Sequence, residues 1–338
     1  MRRWIAPIFL SHAGCRYTCV FCNQYRITAQ GTRPSPEDVE ETIERVFASR
    51  KGDGSCLRQI AFYGGSFTGM EFPLQQEYLN VARRYVREGM ADSIRISVRP
   101  DQLGPEVLSF LYAHDVRTVE VGVQSLNDEV LRSARRGHSA SEALAALERA
   151  KDAGMEVGAQ LMVGLPQDDR VRSKETVEKI VQTRTDFVRI YPVLVVKDTE
   201  LERMFRQGVY RPLTLEDAVS ICKELVTLLE EASVRVIRIG LHQEQPHGDA
   251  GPSWIAGPYH PAFGQLVRSA MFKDRAWRSL QERSVPTMTA SFRMHPCDRA
   301  DFQGHRNQNI FCLLSAFSLK GIRIEEDPRM LRGSIQCS

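Results

Sequence analysis

Gly14-Cys15-Arg16-Tyr17-Thr18-Cys19-Val20-Phe21-Cys22-Asn23 sets three cysteines within eight residues at C-x3-C-x2-C spacing. The stretch follows an apolar run at 5–10 that reads as a first strand, so the cysteines occupy the loop at its carboxyl end. Three thiolates on one short loop can bind three irons of a cubane cluster, leaving the fourth iron without a protein ligand. A catalytic metal needs such an open position, whereas a structural site is closed. The competing readings are chance clustering and a zinc knuckle, for which His12 is the one nearby fourth ligand. A loop that opens a strand–helix array is an unusual place for a knuckle.

Outward from this loop the chain alternates between strand and helix patterns. Pro34-Ser35-Pro36-Glu37-Asp38 starts a helix with acidic residues in its first turn, and Val39, Ile43, Val46 and Phe47 then share one face. Strands are expected at 60–63, 93–98, 118–123, 156–163 and 187–192, in addition to 5–10. Helices are expected up to about 87 and at 105–113, 141–153 and 174–183. Six strands with intervening helices argue for parallel βαβ units, too few for a closed eight-fold barrel. An open partial barrel and a doubly wound sheet both fit the alternation, and both place active-site loops at the strands' carboxyl ends. Past 195 the pattern changes to an amphipathic helix at 215–231, a strand at 234–240, and a Gly/Pro/His-rich stretch from His247 to Pro261. The last seventy or so residues show weak periodicity.

Bulk properties narrow the class. The 338 residues are 42% hydrophobic and 26% charged, as in ordinary soluble globular proteins. A net charge of +3 gives no broad electrostatic signal for nucleic acid. No apolar run approaches the roughly 20 residues that span a bilayer, and no signal-peptide cleavage pattern is present. Of eight cysteines, five are scattered, which suits a reduced protein with a metal site better than a disulfide scaffold. A cytoplasmic location is expected.

With Phe21 in the place before the last cysteine, the loop resembles the signature of the radical S-adenosylmethionine (SAM) superfamily. The resemblance implies a partial (β/α)6 barrel with a C-terminal α+β extension. It implies that Cys15, Cys19 and Cys22 hold a [4Fe-4S] cluster whose open iron is chelated by the methionine moiety of SAM. Electron transfer would then cleave SAM to methionine and a 5′-deoxyadenosyl radical, with a donor such as flavodoxin or ferredoxin. Tyr63-Gly64-Gly65-Ser66 stands at the superfamily's "GGE" position, with Ser66 in place of Glu, as in the branch containing the Elongator catalytic subunit. Ser97-Val98-Arg99-Pro100-Asp101, Val121-Gly122-Val123-Gln124-Ser125 and Met162-Val163-Gly164-Leu165-Pro166 resemble the Elongator-like and coproporphyrinogen-dehydrogenase-like branches. By that resemblance Gly64, Gly65 and Ser66 meet the SAM amino group, Gln124 the ribose, Arg136 the carboxylate, and Gly164 the adenine. Tyr191–Leu201 and Gly257-Pro258-Tyr259-His260-Pro261 extend the likeness to about residue 270.

The expected division is a core at 1–195, an extension at 196–270 and a tail of uncertain structure at 271–338. The acetyl-CoA pyrophosphate loop of the Elongator subunit's acetyltransferase domain is not found, so a stand-alone Elongator-like protein is expected. RNA is one candidate substrate. The alternatives are a radical SAM enzyme acting on a small molecule or tetrapyrrole, and a non-enzymatic iron–sulfur sensor. His242, His247 and His260 could line a substrate or metal pocket, though hydrogen-bonded loop histidines are commoner. Cys297, Cys312, His295 and His305 have spacings too irregular for a second cluster. Arg299, Arg306 and Lys320 form a mildly basic tail.

Overall fold

Strand residues alternate between two environments, and this alternation builds the molecule. In the computed structural model, which describes residues 3–28, 33–49, 56–241, 252–282 and 288–338, Ala6, Ile8 and Leu10 point into the core while Ile5, Pro7 and Phe9 do not. These belong to β1 (Arg3–Leu10). After it come α1 (Gln24–Thr28), α2 (Pro36–Ala48), β2 (Leu57–Gly64), α3 (Phe72–Arg87), β3 (Ser93–Val98), α4 (Pro105–Ala113) and β4 (Val116–Gln124). Next are α5 (Asp128–Ser133), α6 (Ala140–Asp152), β5 (Glu156–Val163), α7 (Arg170–Val181) and β6 (Phe187–Pro192). The chain continues with β7 (Val195–Val196), α8 (Glu200–Arg206), α9 (Leu215–Glu231), β8 (Arg235–Ile239), β9 (Trp254–Ala256) and α10 (Phe263–Gln281). It ends with β10 (Thr289–Met294), α11 (Arg299–Gln303), α12 (Gln308–Ala316), β11 (Gly321–Glu326) and β12 (Ile335–Cys337).

The main sheet is all parallel, in the order β1-β2-β3-β4-β5-β6-β8, and curls into a half-barrel. A seventh strand, β8, thus extends the six expected repeats past residue 195, carried there by α9. The apolar face of the sheet packs under α2, α3, α4, α6, α7 and α9 around Ile60, Ile94, Val119, Val157 and Ile190. Local signals set the helix starts. Ser35 with Asp38, and Ser139 with Glu142, form reciprocal capping boxes at α2 and α6. Asp169 caps α7, so that helix begins at Arg170 rather than at 174.

The tail that sequence periodicity left open is folded. β10 pairs in parallel with β11 and antiparallel with β12, and this sheet packs on α10, α11 and α12 through Phe272, Phe292, Phe302 and Leu313. α10 ties the two parts together: Phe263, Val267 and Met271 join the barrel core, and Phe272, Ala276 and Leu280 join the C-terminal core. The segment around β9 pairs antiparallel with β7, and Trp254 stacks on Tyr259 with ring centroids 3.9 Å apart. Residues 242–251, which include His242 and His247, lie outside the described residues.

Candidate active site at the carboxyl ends of the strands

The cysteine loop leaves β1 through two left-handed residues, His12 (φ 55°) and Gly14 (φ 69°). The Ala13 N–H donates to the Leu10 carbonyl, Cys15 N–H to His12, and Cys22 N–H to Cys19. The turn after β2 lies directly against it: Gly65 N–H donates to Leu10 O at 3.0 Å and Ser66 N–H to Ala13 O at 2.8 Å. A Cβ on Gly65 would stand 2.0 Å from Ala13 O, and one on Gly14 2.1 Å from Ser66 O. The two backbones therefore touch, and a side chain at either glycine would separate them. Ser66 is fully buried; its hydroxyl accepts from Arg99 N–H at 2.9 Å and is bonded to Gln102 Oε1. Gln102 in turn donates to Gly14 O. The Ser66 side chain thus fastens the ends of β2 and β3 to the cysteine loop, a role its sequence position does not reveal.

All three thiols are free, with Cys19 buried and Cys15 and Cys22 half-buried. Burial, then repulsion from Cys19, pushes the Cys15 thiol up, and the same causes push Cys22 up to about 12. Both shifts favour the protonated thiol, and metal binding is what would hold Cys15 and Cys22 as thiolates. Two guanidinium groups face them. Arg136 donates to Cys19 Sγ at 3.1 Å, to Gly122 O at 2.6 Å and to His138 Nε2 at 3.3 Å. Arg99 bonds Asp101 at 2.9 Å and the Arg136 carbonyl, and lies 5.0 Å from the Tyr17 ring. Its Nη1 is buried without a partner among the described residues. Burial and the adjacent Arg136 lower the His138 pKa to about 4, so this imidazole is neutral and adds no third charge.

The site fits an anionic cluster and an anionic ligand: three thiols, two cations and one orphaned N–H donor meet over a glycine contact. It does not fit the zinc alternative. His12 Nε2 accepts from Gln24 N–H at 2.8 Å, so the supposed fourth ligand is engaged. Among the described residues, no group of three or more His, Cys, Asp or Glu could hold a single metal ion. A multi-iron cluster, in which each thiolate takes a separate iron, does not require the sulfurs to meet at one ion. The same holds for Cys297, Cys312, His295 and His305, which form no such group; the His295 ring accepts from Cys297 N–H.

The remaining sequence-predicted residues ring the same end of the sheet. Phe21 packs among Val20, Val130, Leu165 and Val193. Gln124, in the left-handed region at a bulge of β4, accepts from Gln160. Gly164 has both backbone groups engaged, its N–H with Asp168 and its carbonyl with the Tyr210 hydroxyl at 2.6 Å. His260 serves the start of α10, accepting from Ala262 N–H on its ring and from Phe263 N–H on its carbonyl.

Sequence reasoning missed the polar face inside the half-barrel. Glu120 of β4 bonds Arg95 of β3 at 2.7 Å and lies 2.9 Å from Arg189 of β6. Arg189 also donates to Tyr63 and Tyr191. Burial opposes the Arg189 charge, but Glu120 and the two tyrosines outweigh it and raise its pKa. Gly158 leaves room for the Phe187 ring, 5.0 Å from the Arg95 guanidinium. The signal was present as one charged residue, Arg95, Glu120 or Arg189, amid every-second positions of strands whose other face is apolar.

Residues 10–180 match the radical SAM superfamily and residues 185–273 its radical SAM C-terminal domain, so the chain belongs to the radical SAM superfamily. Members typically bind a [4Fe-4S] cluster and SAM, and this membership supports an enzymatic role. A tRNA uridine(34) acetyltransferase of Methanocaldococcus infernus is 34% identical over 202 residues, covering 54% of this chain and 37% of that protein. Elongator complex protein 3 of Homo sapiens is 30% identical over 139 residues, 40% of this chain and 25% of that protein. The match to these relatives therefore spans well under half of their length. An uncharacterized protein of Methanocaldococcus jannaschii is 26% identical over 247 residues, 71% of this chain and 74% of that protein. The fold resembles that of M. infernus Elp3 lacking its N-terminus (TM-score 0.63, 22% identity, 81% of this chain and 64% of that one). It also resembles Escherichia coli coproporphyrinogen III oxidase (TM-score 0.51, 18% identity, 68% and 53%). Among the described residues, no helix is long and apolar enough to cross a membrane.

Proposed function

We propose that this chain is a cytoplasmic radical SAM enzyme that modifies RNA. The observation that carries the assignment is the cysteine loop, pressed against Gly65 and faced by Arg99 and Arg136. In this assignment Cys15, Cys19 and Cys22 hold a [4Fe-4S] cluster. When bound and reduced by a donor such as flavodoxin or ferredoxin, the cluster supplies the electron that cleaves SAM to methionine and a 5′-deoxyadenosyl radical. The protein's own residues bind and orient. Arg136 exchanges its contact with the Gly122 carbonyl for the SAM carboxylate, and the free Nη1 of Arg99 supplies a second cationic donor. The backbone at Gly64, Gly65 and Ser66 meets the SAM amino group, Gln124 the ribose, and Phe21 and Gly164 border the adenosine. The polar face with Tyr63, Arg189 and Tyr191 is the wall that a substrate meets. RNA as substrate is supported by relatives named for tRNA uridine(34) and for Elongator complex protein 3.

The test is anaerobic reconstitution, followed by iron and sulfide counts, an assay for 5′-deoxyadenosine, and nucleoside mass spectrometry of RNA incubated with the reduced enzyme. Cys15→Ala, Cys19→Ala and Cys22→Ala are each expected to lose the cluster; a full cluster in all three would overturn the assignment. A cluster without 5′-deoxyadenosine would favour a sensor. 5′-Deoxyadenosine with no altered nucleoside would favour a small-molecule substrate.

A further inference from the structure

We propose that the groove between the free edge of β8 and the C-terminal module is a phosphate-binding site for the backbone of an RNA substrate, an inference resting on the RNA assignment above. β8 pairs only with β6, so its other edge is unpaired among the described residues. Beside that edge lies a cavity of about 420 Å³ into which Arg238 of β8, Arg268 and Gln265 of α10, and Arg332 project alongside Gly264 and Asp301. The three arginines come from three separate segments and meet one carboxylate, Asp301, in the lining. Arg332 is bonded to the buried Asp298 outside the lining. Arg238 and Arg268 make no ion pair or hydrogen bond among the described residues. Arg268 feels the Asp301 carboxylate without bonding it, and two planar forks free of hydrogen-bond partners in one groove are suited to phosphate oxygens.

The start of α10 adds to this. The helix has no side-chain cap, and its first turn lines the groove. A Cβ on Gly264 would lie 3.0 Å from the Ile239 carbonyl, so this helix end is pressed onto the end of β8. His260 takes the N–H groups of Ala262 and Phe263, which leaves the first-turn N–H groups of Gly264 and Gln265 and the positive end of a nineteen-residue helix beside the arginines. The strands are parallel, so the carboxyl end of β8 is on the side of the half-barrel that carries the cysteine loop. A polynucleotide lying in the groove can therefore lead a nucleotide toward the polar face inside the half-barrel. A free phosphate ester would satisfy the same donors but would gain nothing from a groove that continues along a sheet edge.

The reconstituted protein and a fluorescein-labelled RNA stem-loop provide the test, by anisotropy titration between about 50 and 200 mM salt. Arg238→Gln with Arg268→Gln is expected to weaken binding about tenfold or more and to lower the slope of log K against log salt by roughly 1.8. Asp301→Asn, which removes the one carboxylate, is expected to tighten binding about two- to fivefold. Arg184→Gln, on the far surface between Glu148 and Asp152, should change nothing. Wild-type affinity and slope in the double variant would overturn this site and leave the RNA assignment standing. Failure of the wild-type protein to bind the stem-loop would overturn both, even if inorganic phosphate binds. Should the double variant lose its cooperative unfolding transition, Asp301→Asn decides: unchanged or weaker binding overturns the site.

Discussion

In the half-barrel, the strand face turned away from the helices carries Arg95, Glu120 and Arg189 in one connected, nearly dry cluster. In the C-terminal module, β10 turns Ala290, Phe292 and Met294 into an apolar core with Phe302 and Leu313. The second arrangement is the more economical way to hold strands together, because each buried ion must give up its hydration and recovers that loss only with good partners. The polar interior carries a desolvation cost that packing alone does not explain, and the proposed substrate wall accounts for it, whereas the C-terminal core needs no reason beyond packing. The difference separates a region shaped by chemistry from one shaped by burial, with α10 as the link between them.

The strongest way to break this comparison is Glu120→Ala. It leaves Arg189 without a carboxylate and Arg95 with only Glu156, 3.8 Å away, an expected loss of about 3–5 kcal/mol in urea denaturation. A change below about 1 kcal/mol would show that water already compensates these charges. Phe292→Ala probes the other region. It opens a hole in a core where the ring is fully buried, and about 3 kcal/mol is expected, since a small module can partly close over the space. Iron content after reconstitution should be unaffected by Phe292→Ala; its loss would mean that the two regions are one cooperative unit.

Arg136→Ala sharpens the comparison within the half-barrel. Loss of a charge-assisted pair should weaken SAM binding by about 1.5–3 kcal/mol in anaerobic equilibrium dialysis. Iron should remain, because Cys19 keeps its place through the backbone bonds of Val20 to Ala134 and of Leu201 to Val20. An unchanged SAM affinity would make Arg136 a support for Cys19 alone.

The smallest effect concerns Asp168, whose carboxyl bonds Gly164 N–H and the Ser173 hydroxyl while its other oxygen lacks a partner. Burial raises its pKa from the ordinary carboxylate value to about 6. The folded state then holds a proton that the unfolded state has lost, so this group's contribution to stability falls as pH rises from about 4 to about 6. Asp168→Asn should flatten that part of the Tm-against-pH curve; the same slope in the variant would assign it to other groups.

Much of the half-barrel was legible in the chain because its signals are local. Apolar residues at every second position mark the strands, and Ser35 with Asp38 marks a helix start within four residues. The tail was not legible. β12 has only three residues and α11 five, too few for a pattern to repeat clearly, and β10 pairs with β11 across an intervening pair of helices. The start of α7 was misplaced because Asp169, its cap, precedes the apolar residues that reveal the helix.

The sequence by itself determined the three cysteines, the glycines opposite them and the order of strands and helices, since spacing along the chain is enough to express ligand geometry and periodicity. Tertiary structure alone decided what surrounds those cysteines. Arg99 reaches the thiols from the end of β3 and Arg136 from the turn after α5, and the Ser66 hydroxyl is taken up by Arg99 and Gln102. Glu120 finds Arg95 and Arg189 on two other strands, one at 25 residues' separation. Arg238, Arg268 and Arg332 face one groove only because β8 closes the sheet where α10 begins. Coulomb and hydrogen-bond partners are chosen by distance in space, and parallel strands bring together residues whose separation in the chain is set by the helices between them.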